Sequence, residues 1–335
     1  MIRLLTKEDF IDVYTKLNQR GLSFIASKFS LNKESRISSA FNTFRLENTN
    51  WWDVPAVQTR WNKMISGDYN VDFRDYLINQ HLKGKKDLKV LSLGSGTCQH
   101  ELYYAGFSEI FTEILCVDLG ANNLQQAQQI ANDKHLKNIH FKCEDIYKTK
   151  FKNNYYDLVV FHASLHHFSN LDELFKDKIL PALKVDGCLF INEYVGVNRF
   201  QFPKKQIQAI NKALNIIPDK YKVRSTTSLI KNKFYGNGWL RVYLADPSES
   251  VSSEDILNTV KNYFNPIDEK SYGGNILMNV FKDIAYNFVE INPEKQNILN
   301  QIFTLEDEYL KENKPDFIIG LYQKKQNAFN INSHI

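Results

Sequence analysis

Between residues 86 and 195, short apolar runs alternate with amphipathic stretches. Val90, Leu91 and Leu93 form the first run. Ile114–Val117, the alternating Ile139 and Phe141, Leu158–Phe161, and Leu189–Ile191 follow it. Runs this short and this rich in Val, Ile, Leu and Phe read as strands buried in a parallel sheet. The segments between them have helical spacing. Ala121, Leu124, Ala127, Ile130 and Ala131 share one face, with a glutamine-rich face opposite, and Leu171, Leu174, Phe175 and Ile179 repeat the pattern. Parallel strands require such crossovers. Strands are expected to begin near residues 89, 113, 138, 157 and 187, with a sixth at 265–271 and an antiparallel seventh at 316–322. The fold class is α/β, a Rossmann-like doubly wound seven-stranded sheet.

The flanks have a different rhythm. Residues 1–85 read as a helical N-terminal extension. Thr6 and Asp9 fit a variant capping box ahead of Phe10, Val13, Tyr14 and Leu17, and Gly21 is expected to end that helix. A second helix is expected over 33–46. Trp51, Trp52 and Trp61 read as a packing anchor, or as a flap with Arg60 reaching toward a ligand carboxylate. Residues 195–251 read as an inserted cap. Its helix stops at Pro218, and Lys222–Ser250 is polar and loop-like. Helical periodicity returns after Ser252 and continues over 275–291 and 295–313. The domains are therefore 1–85, a core of 86–194 with 252–325, the cap 195–251, and a frayed tail 326–335.

Composition narrows the class. The chain has 335 residues, 43% hydrophobic and 24% charged, and a formal net charge of +4. These are values of a soluble globular protein, with no basic stripe for nucleic acid. No run of 18 apolar residues suggests a membrane span, and the N-terminus becomes charged before any signal-type apolar region, so a cytoplasmic location is expected. Cys98, Cys116, Cys143 and Cys188 lack zinc-type spacing and read as reduced thiols.

The candidate chemistry lies where the strands end. Val90-Leu91-Ser92-Leu93 runs into Gly94-Ser95-Gly96 and then a polar helix start. A glycine turn of this kind lets the backbone approach an anionic ligand. Asp118 ends the second strand, 22 residues past Gly96, where an acid reaches ribose hydroxyls. Asp145 ends the third strand, followed by Ile146. The fourth runs through His162 into Leu165-His166-His167-Phe168, and the fifth ends at Glu193-Tyr194.

As a set, these blocks resemble the class I S-adenosylmethionine-dependent methyltransferases. The resemblance implies that Gly94, Ser95, Gly96, Asp118, Leu119, Asp145, Ile146 and His162 bind S-adenosyl-L-methionine. It departs from the family at Cys98, where many members have a third glycine. Glu193-Tyr194-Val195-Gly196, Asp246-Pro247-Ser248-Glu249 and Tyr272-Gly273-Gly274 are similar to a bacterial subgroup associated with glycan or secondary-metabolite genes. His167, His166 and Glu193 are the candidate catalytic residues, with His167 slightly preferred as base. No spacing points to a metal. The expected acceptor is a small polar metabolite or sugar-type molecule methylated on oxygen or nitrogen, held under the cap with Arg199, Asn237, Trp239 and Arg241 nearby. A homodimer is left open. Two other classes stay open: a catalytically silent S-adenosylmethionine-binding protein, and a NAD-dependent oxidoreductase, which Gln99 disfavours because G-x-G-x-x-G needs glycine there.

Overall fold

A computed structural model describes residues 2–28, 49–225 and 227–326. Seven strands form one mixed sheet: β1 Leu88–Leu93, β2 Phe111–Asp118, β3 Ile139–Cys143, β4 Tyr156–His162, β5 Leu183–Tyr194, β6 Phe264–Gly273 and β7 Phe317–Lys324. The order is β3-β2-β1-β4-β5-β7-β6. The pairs β1–β2, β1–β4, β2–β3 and β4–β5 are parallel. The direction of strand order reverses between β1 and β4, the place where sheets of this kind bind ligands at their carboxyl edge. The expected seven-stranded α/β sheet is thus present. β5 begins at Leu183, earlier than its apolar centre suggests.

By contacts the chain divides into two units. One comprises Asp72–Val195, Val251–Lys270 and Ile318–Ile335. It holds nearly all of the sheet, and its core packs Leu91, Val117, Val159, Phe161, Phe175 and Ile191 with Val260 and Tyr322. The other comprises Met1–Val71, Gly196–Ser250 and Ser271–Phe317. Its core joins Trp51 and Val57 to Ile210, Leu214, Phe234, Phe281 and Ile302. Trp51 meets Trp61 at 4.7 Å between ring centroids and Phe317 at 5.2 Å, and Trp61 meets Tyr272 at 5.2 Å. Arg60 pairs with Asp307 at 2.6 Å and Glu306 at 3.6 Å. The tryptophan segment is accordingly a packing anchor, and Arg60 is engaged within its own unit.

Several helix boundaries differ from the periodicity. Helix α1 runs Lys7–Lys28 and continues through Gly21; a glycine inside a helix costs only about 1 kcal/mol relative to alanine. The helix expected over 33–46 lies outside the described residues. Trp239–Ala245 is helical rather than loop, its start held by Trp239 N–H on the Arg3 carbonyl at 2.7 Å and Gly238 N–H on Asp9 at 2.8 Å. The helix expected over 275–291 breaks after Leu277–Phe281. Asp283 takes φ +66 there, and Lys231 donates to the carbonyls of Asn279 (2.6 Å), Val280 (3.3 Å) and Lys282 (2.6 Å). Those bonds satisfy carbonyls that a continuing helix would have used.

A charge network fastens α1 inside its unit. Arg224, itself buried, donates to buried Glu8 at 2.8 Å and to Asp283 at 2.5 Å. Burial alone would raise the Asp12 carboxyl, but Lys282 at 2.7 Å and Arg241 at 3.1 Å outweigh it and hold the group below its ordinary value. Removing one partner of a buried pair leaves an uncompensated charge, at a cost of about 3–5 kcal/mol. Arg224→Ala should therefore lower stability by about that amount. Urea denaturation with an unchanged midpoint would rule out this role.

Candidate active site

The turn after β1 uses left-handed backbone three times: Gly94 at φ +70, Gly96 at φ +53 and Cys98 at φ +54. Cys98 thus adopts the conformation that a third glycine would supply. It is buried, with its thiol 3.3 Å from Ser95 Oγ. Gly94 has a packing reason as well. A Cβ there would lie 2.7 Å from Ser164 Cβ, and Ser164 Oγ donates to the Leu93 carbonyl at 2.8 Å. At Gly96 a Cβ would meet nothing within 4 Å. The backbone of Gly96 therefore faces open space, as a ligand cradle requires.

Asp118 closes this turn from β2. Its Oδ2 accepts from Gly96 N–H at 2.8 Å and its Oδ1 from Gly120 N–H at 2.6 Å. Each carboxylate oxygen keeps a further lone pair for a hydroxyl donor. Leu119 beside it is 44% exposed. Asp145, one turn past β3, is half-buried; it accepts from Tyr147 N–H at 3.0 Å and meets Lys148 at 3.4 Å. Ile146 points into the apolar core with Val117 and Phe161. Gly94, Ser95, Gly96, Asp118, Leu119, Asp145 and His162 are thus gathered at the carboxyl ends of β1, β2, β3 and β4, whereas the side chain of Ile146 is core.

The loop after β4 and the end of β5 form a second constellation. Glu193 is fully buried. Its Oε2 accepts from Ser164 N–H at 2.9 Å and Leu165 N–H at 2.6 Å, and its Oε1 from Tyr194 N–H at 2.8 Å and from His166 Nδ1. A carboxylate oxygen accepts, so Nδ1 is the nitrogen that donates to Glu193. The ring of His167 lies against that of His166, centroids 4.3 Å apart. Of the two histidines it is His166, not the slightly preferred His167, that the buried carboxylate orients.

Sequence reasoning passed over Glu101, which is buried on the helix Gln99–Ala105 and accepts from Ser92 Oγ at 2.7 Å. Burial raises its carboxyl to about 7, against a smaller lowering by Ser92, with the charge of Asp118 adding to the rise. The only hint in the sequence was a carboxylate one turn past a glycine loop, which resembles any solvated helix residue. In the cap, Arg199 donates to the carbonyls of Pro247 at 2.7 Å and Glu249 at 2.9 Å. Arg241 is bound by Asp9 and Asn237, each at 3.0 Å. These groups, expected near the acceptor, staple their own unit.

A family model described as a methyltransferase domain matches residues 84–263. The chain belongs to the methyltransferase-domain family. This methyltransferase domain is similar in structure to geranyl diphosphate C-methyltransferase from Streptomyces coelicolor A3(2), solved with Mg2+, geranyl diphosphate and S-adenosyl-L-homocysteine. The TM-score is 0.51 and the identity 11%, over 88% of this chain and 100% of that one. It is also similar to the [4+2]-cyclase SpnF, at a TM-score of 0.45 and 13% identity over 96% and 98% of the two chains. The likeness to the geranyl diphosphate C-methyltransferase shows the fold alone. No curated protein sequence matches. A methyltransferase domain implies S-adenosyl-L-methionine as cofactor. The open space before Gly96 and the remaining lone pairs of Asp118 fit that group. Among the described residues, no helix is long and apolar enough to cross a membrane.

Two outcomes follow for this methyltransferase. Gly94→Ala brings a methyl group against Ser164 and asks alanine to hold a positive φ, so it should lower the melting temperature and weaken cofactor binding together. A variant indistinguishable from wild type in both respects would remove the packing role of Gly94. Glu101 supplies a pH dependence. Its folded value, about 7, lies above the ordinary 4.5, so the native state binds the extra proton between those values. The stabilisation is complete below pH 4.5 and is lost as pH rises through 7, on the order of 2–3 kcal/mol in all. The urea midpoint should fall between pH 5 and pH 8, and Glu101→Gln should flatten that fall. An equal slope in the variant would contradict it.

Proposed function

We propose that this chain is an S-adenosylmethionine-dependent methyltransferase acting on the oxygen or nitrogen of a small polar acceptor, with His166 as general base. The observation that carries this reading is the dyad of His166 and buried Glu193 at the carboxyl edge of the sheet. The bound cofactor supplies an electrophilic methyl carbon. A hydroxyl or amine becomes a competent nucleophile as its proton leaves, and His166 Nε2 is the atom that takes it. The positive charge that then develops on the imidazole is held at Nδ1 by the Glu193 carboxylate. Three backbone N–H donors fix that carboxylate in place, so little reorganisation accompanies proton transfer. His167, its ring tilted 36° against that of His166 at 4.3 Å between centroids, limits the room for that ring to turn.

Gly94, Ser95 and Gly96 with Asp118, Leu119 and Asp145 are the residues we assign to the adenosine part of the cofactor. The modest net charge of +4 supports a small acceptor over a nucleic acid. The likeness of Glu193-Tyr194-Val195-Gly196 and Tyr272-Gly273-Gly274 to the glycan- and metabolite-associated bacterial subgroup supports a sugar-type or related polar acceptor. We assign residues 195–251 to acceptor specificity.

Two measurements on one set of proteins test the reading. Asp118→Ala should weaken S-adenosylmethionine binding at least about tenfold by calorimetry, since bonds to a charged group contribute about 1.5–3 kcal/mol each. His166→Ala should leave that affinity within about threefold of wild type. It should lower S-adenosylhomocysteine release, measured across a panel of sugars, phenols and small amines, by at least about 100-fold. Normal turnover in His166→Ala would eliminate the base role. Tight cofactor binding with no product on any acceptor would favour the catalytically silent alternative.

A further inference from the structure

Helix α1 carries its amphipathic pattern inside out. Phe10, Val13, Tyr14 and Leu17 recur at the i, i+3, i+4, i+7 spacing of a packing seam, the kind of stripe that ordinarily faces a core. Here it faces solvent. Phe10 is 68% exposed, Tyr14 50% and Val13 45%, and Leu17 is half-buried. The opposite face, with Glu8, Asp9, Asp12 and Thr15, is buried. The charge network explains the inversion. Glu8 is held by Arg224 at 2.8 Å, Asp9 by Arg241 at 3.0 Å and Asp12 by Lys282 at 2.7 Å. Rolling the helix to bury the seam would break all three pairs and leave buried charges without partners. The seam is therefore fixed outward.

The exposed apolar surface extends beyond the seam. Ile2, Leu4 and Leu5, ahead of the helix, are exposed, and so is Leu240, whose N–H donates to the Leu4 carbonyl at 3.2 Å. This segment is held in place: Arg3 Nη2 donates to the Phe202 carbonyl at 2.9 Å and Thr6 Oγ1 to the Gly236 carbonyl at 2.7 Å. All of these residues belong to one unit of the chain. Together the exposed side chains offer an apolar surface on the order of 600 Å², at the upper end of what a monomer leaves uncovered. That is about three quarters of the roughly 800 Å² that each partner buries in a standard interface.

The chemistry of this face selects its occupant. Along residues 7–18 the fully exposed positions carry one charge, Lys7. A helix that lies on a lipid surface sets a Lys- and Arg-rich face against its apolar one. In α1 the face opposite the seam is acidic and already paired inside the unit. An uncharged apolar stripe is complementary to another like it. Placed antiparallel across a two-fold axis between Val13 and Tyr14, two copies of α1 set each Phe10 against Leu17 of the other copy and each Tyr14 against Val13. Every aromatic ring then meets an aliphatic side chain, and no charge enters the middle of the seam.

We infer that the apolar face of α1, extended by Ile2, Leu4, Leu5 and Leu240, is a self-association surface whose occupant is a second copy of this chain packed antiparallel on it. The inference does not rest on the methyl-transfer reading.

Sedimentation velocity and light scattering on the full chain test it. Wild type should weigh twice its 39.1 kDa, and its melting temperature should rise with protein concentration, as linkage to association requires. Phe10→Glu and Val13→Glu put a charge into the seam at exposed positions. Each should keep the monomer folded and raise the dissociation constant at least about 30-fold. Tyr14→Ser is read in their place should either glutamate variant not fold. A wild type that stays at 39.1 kDa up to about 100 μM, above the micromolar range that interfaces of this size reach, overturns the inference. So does a dimer whose dissociation constant is unchanged in these variants, because that dimer forms elsewhere. Flotation with vesicles of phosphatidylcholine and phosphatidylglycerol tests the lipid alternative. A wild type that floats with them and sediments as a monomer meets a membrane through this face, and the inference falls.

Discussion

One buried carboxylate sets the geometry of the candidate site. Glu193 accepts from Ser164, Leu165 and Tyr194 N–H groups and from His166 Nδ1. The end of β5 thereby dictates the path of the loop after β4. Ser164 passes the constraint on: its hydroxyl bonds to the Leu93 carbonyl, and its Cβ lies where any side chain on Gly94 would have to go. The turn proposed to cradle the cofactor and the imidazole proposed to take the acceptor's proton are thus fixed by one chain of contacts. A fully buried carboxylate is tolerable only because its hydrogen-bonding capacity is filled. The same saturation makes it rigid.

The sheet was legible because its signal is redundant. The central strands β1, β4 and β5 carry apolar residues on both faces, and the crossover between β2 and β3 has a clean helical stripe, so no single misreading could change the class. The helical parts failed where tertiary contacts overrode local signals. Gly21 does not stop its helix, and the run over 275–291 breaks at Asp283, whose carboxylate meets Arg224 from a distant segment. The Trp239–Ala245 helix was read as loop because it is held by Asp9 of α1 and by Arg3 and Leu4 before it. Such bonds join positions more than 200 residues apart, beyond the reach of periodicity.

The candidate site was legible by position and illegible by partner. Gly94, Gly96, Asp118, His166, His167 and Glu193 all come to the expected sheet edge. Which histidine would be oriented could not be read, because adjacent residues differ only in direction and the direction of His166 comes from Glu193, 27 residues later. Cys98 is instructive in the opposite sense. It stands where many members of the family have a third glycine, and it accepts the left-handed backbone at φ +54. Strain at a non-glycine residue of this kind persists where the surroundings over-determine it. Here the Cys98 N–H on the Ser95 carbonyl at 2.8 Å and its buried thiol do so.

Two clusters of buried polar groups contrast with each other. Around Arg224, charges are paired: Glu8, Asp283, Asp12, Lys282 and Arg241 find opposite partners within 2.5–3.1 Å, an arrangement that holds a segment in place whether or not a ligand is bound. Around His162 the polar atoms are neutral and unmatched. A network that is complete in itself has little to gain from a small molecule. Unpartnered buried donors and acceptors make a cluster less stable than a fully paired one. Glu101, a helical turn from Tyr104, lies between the two cases: it accepts from Ser92 Oγ, and burial still holds its proton to about pH 7. A buried polar group without a partner costs stability that a paired network keeps, so the Arg224 and His162 clusters stand at opposite ends of that trade.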